Sequence, residues 1–184
     1  MKNQLKALSI FAFAILLTSC GDDDAPVLIN EEEVITTVEY RLINTVDLND
    51  VVVFTSEDAD GDGPDAPVIT VTGPLMANST YEGSVRFLNT TVTPPEDITV
   101  EVVEEGLEHE VFYTSSLSSI SVTKDDVDTA NNPVGVQTTL NTGVAGTGDL
   151  TITLRHEPTK PNNNTLSGAG GETDVEVIFS VVVQ

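Results

Sequence analysis

His109 and His156 are the only two imidazoles in a chain that carries 30 carboxylate side chains. His109 lies in Glu108-His109-Glu110, just ahead of the apolar Val111-Phe112-Tyr113. His156 ends the stretch Leu150 to Arg155 and precedes Glu157-Pro158. Two imidazoles joined by two or more carboxylates make a ligand set for zinc or a related ion, which accepts N and O donors at ~2.0–2.2 Å. Strand alternation puts His156 on the row of Leu150, Ile152 and Leu154. The two histidines are far apart in sequence, so the competing reading is a hydrogen-bonded strand end and an unrelated surface residue.

A second chemistry is suggested by Glu57-Asp58-Ala59-Asp60-Gly61-Asp62-Gly63. Asp58, Asp60 and Asp62 alternate, and glycine permits a sharp turn, which is how hard oxygen donors wrap a calcium ion. No glutamate closes the shell, because the twelfth position counted from Asp58 is Ile69. Asp and Gly also build polar hairpin turns, so a plain turn is the alternative. Asp126 and Asp128 echo the spacing more weakly, with Ala130 in the next alternate slot. Calcium is therefore the one cofactor these loops suggest. Gly-x-Ser-x-Gly and His-Glu-x-x-His are both absent from the sequence. A glycosidase-like carboxylate pair is a third reading, uninformative among so many acids.

The elements that must position these residues are strands. Val34, Thr36, Val38, Tyr40 and Leu42 share one face of a period-two segment, and Tyr81, Val85 and Phe87 line another. In the last segment Val175, Val177, Phe179, Val181 and Val183 point inward, against Asp174, Glu176 and Ser180 outward. Val51 to Phe54 reads as a strand buried on both faces. Thr93-Pro94-Pro95-Glu96 resembles a capping box, which predicts one short helix over Pro94–Glu105, although Ile98, Val100 and Val102 also alternate as a strand would. About nine short strands and one helix predict an all-β fold over residues 33–184, a single antiparallel β-sandwich of Ig-like or Greek-key type. A closed barrel is the alternative.

The N-terminus locates the protein. Lys2 and Lys6 precede the apolar run Ala7–Leu17, too short to span a bilayer, and small residues then lead to the single cysteine, Cys20. Leu17-Thr18-Ser19-Cys20 resembles the lipobox of bacterial lipoproteins. That resemblance implies a signal peptide over residues 1–19, cleavage before Cys20 and acylation of its sulfur and amino group. Acylation removes the thiol from catalysis, and two or more acyl chains hold a protein stably on a membrane. Residues 20–32 read as an acidic tether. Cys20-Gly21-Asp22-Asp23-Asp24 resembles the export signal of Bacteroidota surface lipoproteins, which implies display at the outer face of the outer membrane.

Past the signal, five basic residues (Arg41, Arg86, Lys124, Arg155, Lys160) oppose 30 acids. Such a surface repels nucleic acid and attracts cations. The remaining ~165 residues suit one domain. Asp128-Thr129-Ala130 resembles the O-glycosylation sequon of Bacteroidota, implying Thr129 as acceptor.

Asp60-Gly61-Asp62-Gly63, Glu108-His109-Glu110-Val111-Phe112-Tyr113, Leu154-Arg155-His156-Glu157-Pro158 and Gly170-Gly171-Glu172-Thr173-Asp174-Val175 are similar to a group of small Bacteroidota lipoproteins. That group is commonly catalogued as "type 1 periplasmic binding fold superfamily protein". The resemblance implies an envelope lipoprotein with no established activity, acting beside an outer-membrane receptor or nutrient transporter. The leading expectation is a non-enzymatic, surface-exposed binding or accessory lipoprotein. Metal capture through His109 and His156, and a glycan-acting enzyme, are its alternatives.

Overall fold

The structure, a computed structural model, describes residues 33–61 and 63–184. In chain order its elements are β1 (Thr37–Asn44), β2 (Val51–Glu57), β3 (Val68–Val71), β4 (Thr80–Asn89), β5 (Glu96–Asp97) and α1 (Thr99–Glu104). There follow β6 (His109–Ser115), β7 (Ile120–Lys124), β8 (Gln137–Thr142), β9 (Gly146–His156), α2 (Leu166–Ala169) and β10 (Glu172–Val183). One sheet runs β3-β2-β1-β4-β8-β7, with β5 on the end of β4; the other runs β10-β9-β6. Every ladder between these strands is antiparallel. The larger sheet ends in β3 and β7, which do not pair with each other, so this is a sandwich and not a closed barrel.

Alternation explains why the sheets face each other. Val38, Tyr40 and Leu42 of β1 and Tyr81, Val85 and Phe87 of β4 are buried from one sheet. Leu150, Ile152 and Leu154 of β9 and Val177, Phe179 and Val181 of β10 meet them from the other. Phe54 of β2 stands edge-on to Phe179 of β10 with ring centroids 5.6 Å apart, a preferred aromatic geometry that locks the layers together.

Three local expectations are corrected. The described residues form ten strands, counting the two-residue β5, and a second short helix, α2. β2 alternates and is not buried on both faces. The first helix starts at Thr99 rather than Pro94, because Glu96 and Asp97 pair with Asn89 and Leu88 on β4. Asp97 also binds Arg86 at 2.9 Å and accepts the Thr99 N–H at 3.2 Å. The carboxylate at 97 thus serves the turn into the helix, and the Thr93 capping box does not form.

Candidate metal centre

The inward row of the smaller sheet ends in two imidazoles. His109 opens β6 and His156 closes β9, and they are direct partners in the ladder, two rungs beyond Val111 and Leu154. The Glu157 N–H donates to the Glu108 carbonyl at 2.6 Å, closing the ladder just past them. Distance along the chain therefore misled: antiparallel register places the two histidines side by side at one end of the sandwich.

Two carboxylates complete the group. Asp174 sits where the β10–β9 register shifts between Thr173 and Val175. A bulge of this kind adds a residue to one strand and re-aims its side chain. The expectation that Asp174 faces outward with Glu176 is thereby overturned. Gly171 sets up this approach: its φ is +72°, and a Cβ there would lie 2.2 Å from the His156 carbonyl oxygen. Only glycine lets the chain pass so close to the end of β9. Glu33 comes from the other layer, on the segment that leads into β1. Its Oε1 lies 2.9 Å from His109 Nε2, and its side chain is only 7% exposed.

Ligand atoms of Glu33, His109, His156 and Asp174 all lie within 4.8 Å of one another. His156 Nδ1 is 3.0 Å from His109 Nε2. Two donors on one tetrahedral zinc, with bonds of ~2.0–2.1 Å, stand about 3.3 Å apart, so the two imidazoles need to separate by only a few tenths of an ångström. On the far side of the ring, His109 Nδ1 faces the Glu105 carbonyl at 3.3 Å. A carbonyl only accepts, so Nδ1 carries a hydrogen and Nε2 is the nitrogen turned to the cluster. This is the arrangement by which a backbone carbonyl orients a metal-binding histidine. His109 Nε2, His156 Nδ1 and Glu33 Oε1 thus converge, and one positive species, a proton or a metal ion, must lie among them. Glu33 Oε2 is also buried without a hydrogen-bond partner.

The surroundings favour a cation. Glu101 and Glu105 of the α1 region bring two further carboxylates to Glu33. Burial, followed by the charges of Glu105, Glu33 and Glu96, holds the Glu101 carboxyl above its ordinary value. A cleft of about 430 Å³ shares Glu33 and Asp174 with the cluster and is lined also by Asp58, Glu172 and Glu176, with no lysine or arginine on its walls among the described residues.

Protons compete for this place, and their effect is readable in pH. Burial pushes the Glu33 carboxyl upward, but the hydrogen bond and charge of His109, with the charge of His156, outweigh it and hold the carboxyl below its ordinary 4.5. Burial pulls the His109 imidazole down, but the hydrogen bond and charge of Glu33, the charge of Asp174 and the Glu105 carbonyl raise it above 6.5. The Glu33 contribution to stability is present above 4.5 and is lost as pH falls through the depressed folded value. The His109 contribution is present below 6.5 and is lost as pH rises through the elevated one. In chelator, wild type should exceed Glu33→Gln in melting temperature most between pH 4.5 and 6.5. A difference that stays constant from pH 3 to 9 would refute the pair.

The other anticipated residues are dispersed. Asp60 accepts the Asp65 N–H at 3.3 Å, as a turn residue does, while Asp58 lines the acidic cleft and its Oδ1 is buried without a hydrogen-bond partner. Asp62 and Cys20, like the expected signal and tether over residues 1–32, lie outside the described residues. Asp126 accepts the N–H groups of Gly135 and Val136 at 2.7 and 3.0 Å. Asp128 accepts those of Ala130 and Asn132 at 2.8 and 2.9 Å, with Lys160 beside it at 3.4 Å. These two carboxylates order their own loop. Thr129 is exposed in the turn at its tip. Among the described residues no helix is long and apolar enough to cross a membrane. No protein-family model, curated protein or solved structure matches the chain.

Proposed function

We propose that this protein is a lipid-anchored envelope lipoprotein that captures a divalent transition metal of the zinc class, held by His109, His156, Glu33 and Asp174. The carrying observation is the convergence of two imidazole nitrogens and two carboxylates within 4.8 Å, with Glu105 orienting His109 from behind. Imidazole donors suit Zn, Cu, Fe and Ni, whereas Ca and Mg take oxygen alone, so the donor set separates the two classes. The acidic cleft concentrates cations at the mouth of the site. The lipobox-like Leu17-Thr18-Ser19-Cys20 supports membrane attachment, and the resemblance to envelope lipoproteins supports a receptor or transporter as recipient of the ion.

Mass action supplies the test. An ion at 100 times its dissociation constant adds ~2.7 kcal/mol, which for a domain of this size raises the melting midpoint by roughly 5–10 °C. Zinc should produce that rise in the full chain and magnesium should not. Equal midpoints with zinc and with chelator would sink the metal reading.

A further inference from the structure

Three of the four donors are carried by the smaller sheet: His109 at the start of β6, His156 at the end of β9 and Asp174 at the β10 bulge. Glu33 is different. It lies on the arm that precedes β1, which begins at Thr37. The arm is fixed to the larger sheet through Thr36, whose N–H donates to the Leu88 carbonyl at 2.9 Å and whose hydroxyl meets that of Thr90 at 2.8 Å. Val34, between that anchor and Glu33, is 53% exposed. The Glu33 side chain nonetheless turns in and becomes 93% buried, with one oxygen on His109 and the other without a hydrogen-bond partner.

Burying a carboxylate with an orphaned oxygen beside Asp174, Glu101 and Glu105 is costly unless a positive charge sits among them. A proton on His109 supplies one charge and satisfies one oxygen. A divalent ion supplies two charges, and Glu33 becomes its ligand from the opposite layer. Resting on the metal reading above, we infer that cation binding straps residues 33–36 onto the histidine end of the sandwich. Occupancy is thereby reported at the point where the chain continues toward its expected acylation at Cys20. The stretch before Thr36 is the moving part, because among the donor-bearing segments it alone lies outside the strand ladders and is held to the sheet only at Thr36.

Hydrogen exchange read by mass spectrometry on the full chain, with zinc occupancy followed in the same samples by a competing chromophoric chelator, tests this. Saturating zinc should slow exchange in peptides covering residues 33–36 by at least tenfold and leave β4 unchanged. Glu33→Gln should still take zinc through the three sheet-borne donors, more weakly, and show no protection of the arm. Asp174→Asn should weaken zinc binding yet keep the protection at saturation. Zinc binding with unchanged exchange at 33–36 overturns the strap and leaves the metal site standing, as does full protection in Glu33→Gln. An absence of zinc binding in the chelator assay overturns both. Exchange in β4 reports that each variant is folded.

Discussion

Replacing His109 by glutamine should lower zinc affinity by on the order of 100-fold or more, since losing only an outer-shell partner of a metal ligand already costs 10–100-fold. The size follows from position. His109 Nε2 touches both His156 and Glu33, at 3.0 and 2.9 Å, while its Nδ1 is fixed by the Glu105 carbonyl. That hold from behind keeps Nε2 turned to the cluster, and the ring is fully buried. Glutamine keeps polarity and much of the volume, so the fold should survive while the lone pair is lost. His156→Ala removes a half-buried ring at the strand end and should act in the same direction with less structural disturbance. The zinc-dependent rise in melting temperature should vanish in both variants. Competition against a chromophoric chelator measures the affinities, and an unchanged constant in His109→Gln removes the histidine pair from the site.

The fold was largely legible in the sequence because period-two alternation is a local signal. Val175, Val177, Phe179, Val181 and Val183 were expected inward, and they pack there. The site was legible only in part. His156 could be placed on the inward row by counting, yet its pairing with His109 depends on the β6–β9 register, which no local pattern encodes. Asp174 was set outward by the same counting, and the bulge between Thr173 and Val175 inverted the result. Glycine at 170 and 171 is the one visible hint of irregularity there. Glu33 stood at the boundary between tether and domain, where composition says acidic spacer. Only the tertiary contact with His109 turns it into a donor. In the acidic loops, Asp126 and Asp128 have calcium-like spacing, and backbone N–H groups donate to both carboxylates.

Glu110→Ala should destabilise the domain by about 3–5 kcal/mol, the range found when one partner of a buried ion pair is removed. Glu110 follows His109 on β6 and, by alternation, points to the opposite face of the sheet. There its Oε1 meets Lys124 Nζ of β7 at 2.6 Å, with side chains only 3% and 6% exposed. Its Oε2 accepts from the Asn162 amide at 2.7 Å, and the lysine lies 3.9 Å over the Phe112 ring. Burial holds the Lys124 ammonium below its ordinary value even with Glu110 beside it, so desolvation is not fully offset in the wild type. Alanine at 110 therefore leaves a buried cation with the ring face alone. Removing both charges, as in Glu110→Gln with Lys124→Met, should recover most of the loss, because an apolar replacement of a buried pair is often neutral. Urea unfolding of the two variants measures this. If Glu110→Ala costs less than 1 kcal/mol, the pair is hydrated and does not hold β6 to β7. The same experiment separates fold from site. The Glu110 pair and the His109 cluster occupy opposite faces of one strand, so the double variant should bind zinc as tightly as the wild type while Glu33→Gln does not.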